Sequence, residues 1–477
     1  MKPIDRLPKA CLALLAAGSL MVAAIPAAAQ TPFGEVDRVA AAEVSFSGAT
    51  RQKPIEAGSQ ATISGEGFKA GQEVVLYYGS TPLTPTPIKA DSEGKISGLI
   101  AVPANAVAGI HPIIVIAQEP YYATVAELKV SPTIPLAGQD DYTITLAEET
   151  RGLYQTAYSA QNNVLFSASA VGRPPISESE LLKLDADNLT VLARAVPPEA
   201  PAPQRPANAG GNGQPQAPGV YAVYGIGLDD SKGTVWTTNT RQNTVAVYNQ
   251  SDLSLVKQFP VGTVQHARDV AVDEVLGKAY ATAATTPEIV VFDTTTLEPV
   301  KKIEVRSLQR GEDASVFALS LDQEAHRLYT VSMSTNEVAI IDTRTDTVEK
   351  VLPVPGARSA IGVSHDPQTG RIFVAAQGSD NLIVLDGESG EVIADTPVGA
   401  GALNVVFDPV RRRAYVANRG AGTITVTDPD GKILANLGPA PLVNHVSLGK
   451  DGVIYAVDKS AGVRDAEADV IMRIEPK

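Results

Sequence analysis

Arginine, histidine, asparagine and aromatic residues recur along this chain at matching points of a repeated pattern. One set is Tyr154, Tyr224, His266 with Arg268, Phe317, Arg358, Asn404, and Asn444 with His445. A second set, in short turns, is Asn239, Arg241, Asn418, Arg419 and Lys459. A guanidinium fork matches a carboxylate or phosphate through two parallel N–H bonds. If the fold gathers these residues, the chemistry they offer is recognition of an anion or a polar ligand. The alternative is that they bond to buried backbone or to channel water.

Motifs for other chemistry are missing. There is no H-E-x-x-H, no G-x-S-x-G and no G-x-G-x-x-G opening a helix. The one cysteine, Cys11, rules out C-x-x-C. Of five histidines, His266 and His445 fall at the right positions, too few for a metal cage. His111, His326 and His365 lie elsewhere. A turn such as Asp366–Gly370 could hold calcium, but repeated turns carry that pattern for structural reasons. Trp236 is the only tryptophan, which argues against a quinone enzyme that docks its sheets through tryptophans. The expectation is no catalytic residue, no metal and no cofactor, with an enzyme less expected than a binding protein.

The elements that must position these residues form a repeat. One unit runs from Ser359 through Gly370-Arg371-Ile372-Phe373-Val374, then Asn381–Asp386, then Glu391–Ala394. It reads as four strands joined by tight turns. Units start near residues 151, 222, 266, 315, 359, 402 and 443. Four strands in about 40–45 residues is a propeller blade. The long first interval is explained by the Pro/Gly/Asn/Gln-rich insertion 197–219, which cannot bury a core. The last unit has three strands, ending Asp469–Ile474, and Tyr142–Leu146 is a spare strand before the first. Pairing the two would close a seven-bladed ring and leave no edge. Inner-strand entries and the turns between second and third strands then meet at one channel mouth.

Ahead of the repeat, residues 43–131 read as short antiparallel strands of a β-sandwich. Residues 132–141 read as a linker and 30–42 as a flexible tail. Residues 1–29 have a basic start, an apolar stretch and Ala27-Ala28-Ala29, the pattern of a cleaved signal peptide. The expected location is the periplasm, with no transmembrane segment in the mature chain. The net charge of −14 becomes more negative once Lys2, Arg6, Lys9 and Asp5 are removed. That balance disfavours non-specific binding to nucleic acid.

The run "ISGEGFKAGQEVVLYY…ADSEGKISGLIAVPANAVAGIHPIIVIA" resembles bacterial immunoglobulin-like modules. The phrases "AYVANRGAGTITVTD", "IFVAAQGSDNLIVLD" and "TVWTTNTRQNTVAVY" resemble the YVTN-type propeller repeat. More specifically, residues 140–477 are similar to YncE-like periplasmic propellers, down to "DVIMRI" at Asp469–Ile474. The resemblance implies a seven-bladed propeller without established catalysis, and single-stranded DNA binding has been attributed to that family. The expected function is an exported, non-enzymatic binding or scaffold protein. Its channel mouth would take a small anionic ligand, a protein or a cell-envelope polymer. Single-stranded DNA binding, and a lactonase- or quinone-dehydrogenase-like enzyme, are the alternatives.

Overall fold

The structure, a computed structural model, describes residues 41–50, 53–202 and 218–477. Residues 1–29, read as a signal peptide, nearly all of the stretch 30–42, read as a tail, and positions 203–217 of the insertion lie outside the described residues. Among the described residues, no helix is long and apolar enough to cross a membrane. Strand is the dominant element, and the α-helix Ala461–Arg464 is a single turn.

The N-terminal unit has two sheets. One joins Glu43–Ser47, Gln60–Glu66 and Ile96–Ala101. The other joins Thr81–Pro82, Glu73–Tyr78, Gly109–Ala117 and Tyr122–Val130, with Ile88–Lys89 against Glu73 and Val74. Alternation decides the inner faces: Ala61 and Ile63, Val74 and Leu76, and Ile113 and Val115 point inward and share one core.

The rest of the described chain forms seven four-stranded antiparallel sheets. The first six use consecutive strands, beginning at Leu153–Ser159, Ile226–Asp229, Ala267–Asp273, Val316–Asp322, Ala360–His365 and Ala402–Asp408. The seventh runs Val443–Leu448, Ile454–Asp458, Asp469–Pro476 and finally Tyr142–Glu149. Tyr142 pairs with Pro476 and Glu149 with Asp469, so the spare strand reads along the chain's last one. The first strand of each sheet packs on the first strand of the next, and the seventh packs on the first.

Two features let these inner strands approach. A Cβ on Gly225 would lie 2.6 Å from the Arg268 carbonyl oxygen, and one on Gly362 would lie 2.9 Å from Asn404 Cα. Only glycine fits such contacts. Between sheets, apolar layers fill the gap: Trp236 is fully buried, 5.6 Å from Phe292 and 6.0 Å from Phe259.

An aspartate ends several inner strands and folds the turn that follows. Asp229 Oδ1 accepts the Lys232 N–H at 2.9 Å, Asp273 Oδ1 that of Leu276 at 2.9 Å, and Asp408 Oδ1 that of Arg411 at 3.1 Å. Such side-chain-to-backbone bonds fix tight turns. Asp366 does the same for Gln368 and is held on both oxygens by Arg412 and on one by Thr369. That carboxylate is paired with an arginine of its own chain.

The two units touch. Asp380 is buried and accepts from Lys129 Nζ at 2.8 Å, Ser131 Oγ at 2.7 Å and the Gly401 N–H at 2.7 Å. Asn436 Nδ2 donates to the Ile134 carbonyl at 2.8 Å. Residues 132–141, read as a linker, are thereby fastened along the sixth sheet, and Ala137 bridges to Asn436.

Candidate functional site

A repeated irregularity aims the site residues. In most of the inner strands the register with the second strand slips near the entry. The slip falls between Leu153 and Gln155, Ala267 and Val270, and Val316 and Leu319. It recurs between Ala360 and Gly362, Ala402 and Asn404, and Val443 and His445. The residues inside these slips are Tyr154, Arg268 with Asp269, Phe317 with Ala318, Ile361, Leu403 and Asn444. A bulge leaves its extra residue out of the ladder and redirects its side chain. Six sheets thus turn one or two side chains each toward the same opening.

Tyr154 is the hub. Arg268, from the third sheet, donates through Nη1 to the Tyr154 hydroxyl. Its guanidinium carbon lies 4.7 Å from the Tyr154 ring centre and 5.9 Å from that of Phe317. Lys459, from the seventh sheet, places Nζ 4.9 Å from the same tyrosine ring and 3.4 Å from the Gly152 carbonyl. Cations over aromatic faces are attracted by the ring quadrupole. Arg419, from the sixth sheet, donates to Asn444 Oδ1 at 3.0 Å, and Asn444 Nδ2 donates to the Tyr154 carbonyl at 2.9 Å. On the other side, the Tyr224 ring meets Tyr154 edge-on at 4.9 Å, and Arg241 Nε donates to the Tyr224 hydroxyl at 3.3 Å.

These cations form no salt bridge among the described residues, although Asp269 lies beside Arg268 and Asp469 acts on Lys459. Among the described residues, none of Arg241, Arg268, Arg419 and Lys459 has a carboxylate oxygen within 4.0 Å. Asp469 lies near, but its oxygens accept the N–H groups of Gly152 (2.6 Å), Leu153 (3.2 Å) and Ala461 (2.9 Å). Burial, followed by the charge of Arg419, pushes the Lys459 ammonium down to about 8. Burial also lowers Arg419, with Arg268 acting in the same direction. His266 is lowered by burial and then by Arg241 and Arg268. Like charges held together, partly out of water, each disfavour the charged form.

Below the mouth the channel narrows to a cavity of about 20 Å³, lined by Gln155, Arg268, Asp269, Phe317, Asn404, Asn444 and His445, among others. That space suits a single water molecule. Asp269 accepts the Leu319 N–H at 2.9 Å, and burial raises its pKa. His445 accepts the Thr156 N–H on Nδ1 at 3.4 Å, and burial pushes it down to about 3, so it is neutral. Asn404 Oδ1 accepts the Val446 N–H at 2.8 Å.

The positions read from sequence therefore separate. Tyr154, Tyr224, Arg241, His266 and Arg419 surround the mouth. Arg268, Phe317 and Asn444 reach from it to the neck, which Asn404 and His445 also line. Asn239 and Asn418 are fully buried, and their amides bond the Ala222 and Val398 carbonyls at 3.2 and 2.9 Å. They stitch neighbouring loops together and present nothing to a ligand. Arg358 turns away to the N-terminal unit, where it pairs with Glu127 at 2.5 Å. Sequence reasoning missed Asp269 and Gln155. Asp269 had one signal: a carboxylate beside Arg268 in the otherwise alternating Ala267–Asp273 strand.

Beside the mouth, a cleft of about 530 Å³ runs between the two units. Phe46, Lys53, Ile55 and Lys129 line one side, and Gln377, Gly401, Arg419 and Leu442 the other.

No protein-family model matches the chain, and no curated protein matches it. Solved structures do. Hydrazine synthase from Kuenenia stuttgartiensis matches with a TM-score of 0.54 at 15% identity, covering 68% of this chain and 96% of that one. Virginiamycin B lyase from Staphylococcus aureus matches with a TM-score of 0.51 at 11% identity, covering 70% of this chain and 99% of that one. The chain is an all-β protein of propeller-like fold. At these identities the likeness concerns fold alone. Both neighbours bear the names of enzymes, so the expectation of a non-enzymatic protein finds no support in them.

Proposed function

We propose that this chain is a seven-bladed propeller, closed by strand Tyr142–Glu149 in its last blade, whose channel mouth binds a small carboxylate or phosphate anion. The N-terminal unit is read as an immunoglobulin-like module, and residues 1–29 as the signal that sends the protein to the periplasm. One observation carries the binding reading. Arg268, Arg419 and Lys459 converge around Tyr154 with Arg241 and His266 beside them, and none of the four cations has a carboxylate oxygen within 4.0 Å among the described residues. Gathering like charges is unfavourable unless a ligand supplies the opposite sign. A free anion and a terminal carboxylate or phosphate of a cell-envelope polymer present the same chemistry. The reading concerns binding, and turnover of the bound anion is compatible with it.

Calorimetric titration of the full chain with inorganic phosphate, succinate and lactate tests this. At least one should bind, and the Arg268→Ala/Arg419→Ala variant should lose roughly tenfold or more in affinity, as expected when charge-assisted bonds are removed. The milder Arg268→Lys change, which keeps the charge but not the fork, should weaken binding less. Absence of binding by all three anions in the wild type would overturn the reading.

A further inference from the structure

We propose that Lys459 forms a reversible imine with the carbonyl carbon of a 2-oxo acid whose carboxylate is held by Arg268 and Arg419. This rests on the anion-binding reading and names the ligand class.

The argument starts from the surroundings of Lys459. Its Nζ has one weak acceptor, the Gly152 carbonyl at 3.4 Å, and faces the Tyr154 ring at 4.9 Å. The acid that would hold it charged, Asp469, is engaged by three backbone N–H groups. Arg268 faces the same Tyr154 ring at 4.7 Å, and the charges of Arg419, Arg268 and Arg241 disfavour the ammonium form against the opposite pull of Asp469. A lysine kept this way has a real share of neutral amine near neutral pH, which ordinary surface lysines lack. The neighbouring guanidinium groups keep their charge and are the natural partners of a carboxylate. An amine that can add to a carbonyl thus sits beside two forks that orient a carboxylate. In a 2-oxo acid those two functions are on adjacent carbons.

The step needs no oxidant or reductant. The amine lone pair forms the N–C bond while the carbonyl oxygen takes a proton, giving a carbinolamine. The C–O bond then breaks, the hydroxyl leaves as water with a second proton from nitrogen, and C=N forms. The balance is amine plus ketone gives imine plus water.

The experiment incubates the full chain with pyruvate and borohydride and maps the reduced adduct by peptide mass spectrometry. Lactate, which has the carboxylate but no carbonyl, is titrated in parallel. We expect lactate to bind, and Lys459 to carry the adduct roughly tenfold above any other lysine, because its amine is the more deprotonated. Lys459→Arg should abolish that adduct, whereas Lys95→Arg, in the N-terminal unit and outside the anion site, should leave both adduct and lactate binding as in the wild type. Lactate binding with no adduct, or with adduct spread evenly over lysines such as Lys95 and Lys301, would overturn the imine and leave the anion site standing. Absence of the adduct together with absence of binding by lactate, succinate and phosphate in the wild type would overturn the two together.

Discussion

Lys129 of the N-terminal unit donates to Asp380 of the fifth sheet at 2.8 Å, and that carboxylate is almost wholly buried between the two units. Ser131 and the Gly401 amide complete its shell. Removing one member of a buried, hydrogen-bonded charge cluster costs about 3–5 kcal/mol when the remainder stays uncompensated, and less where, as for Lys129, one partner reaches water. We therefore expect Asp380→Ala to uncouple the units. Calorimetry should resolve a second unfolding transition, and protease should cut within residues 132–141 faster. A single transition at the wild-type temperature would show that Asp380 does not hold the units together.

Gly225 should be intolerant of a side chain. Its Cβ would meet the Arg268 carbonyl at 2.6 Å and Thr238 Oγ1 at 2.8 Å. Overpacking of this kind costs roughly 1–3 kcal/mol. Because the obstructing atom belongs to Arg268 itself, Gly225→Ala should lower the melting temperature and also weaken anion binding. Loss of stability with unchanged affinity would mean that the mouth does not depend on this backbone contact.

His445 sets an acid limit. Its folded pKa is pushed down to about 3 from 6.5, first by burial and then by Arg268, while Asp269 shares the same neck. Below about 6.5 the unfolded chain binds a proton that the folded chain does not, so this residue removes stability as pH falls toward about 3. His445→Gln should flatten that part of a melting-temperature profile. Parallel profiles for the two proteins would contradict the assignment.

Lys459 gives the opposite edge. Burial and then Arg419 hold it at about 8, below its ordinary 10.5. A bound anion favours the charged form, so binding near pH 8 should take up a proton, and affinity for lactate or phosphate should fall as pH rises past about 8. Lys459→Arg, charged throughout, should lose that decline. Calorimetry in buffers of different ionisation enthalpy measures the proton directly. A flat affinity profile in the wild type would separate Lys459 from the bound anion.

Much of the scaffold could be read from residues alone because it repeats. The phrase around Arg371–Asp386 recurs, and the Asp turns at Asp229, Asp273 and Asp408 carry their own local bonds. The spare strand Tyr142–Leu146 was visible as an unmatched β-rich run, and it pairs as far as Glu149. What was not visible was the bulge near the entry of six of the seven inner strands. A two-against-one register has no composition of its own, so nothing marked Asn444 as the residue left out of the ladder while Asn404 kept its pairing. Arg358 failed for another reason. Its partner, Glu127, lies 231 residues away in a different unit, and no repeat encodes that contact. Asn239 and Asn418 look like ligand groups in sequence because a buried amide serving backbone carbonyls has the same letter as an exposed one.

Strands Tyr142–Glu149 and Asp469–Pro476 are antiparallel, with Tyr142 opposite Pro476. Their free ends therefore emerge at the same end of the ladder. Tension applied between the N-terminal unit and the C-terminal residue would load the pair one rung at a time, like a zipper, instead of shearing all rungs together. The contacts of Asp380 with Lys129 and Ser131, and the fastening of residues 132–141 to the sixth sheet through Ala137 and Asn436, stand between such a force and the first rung.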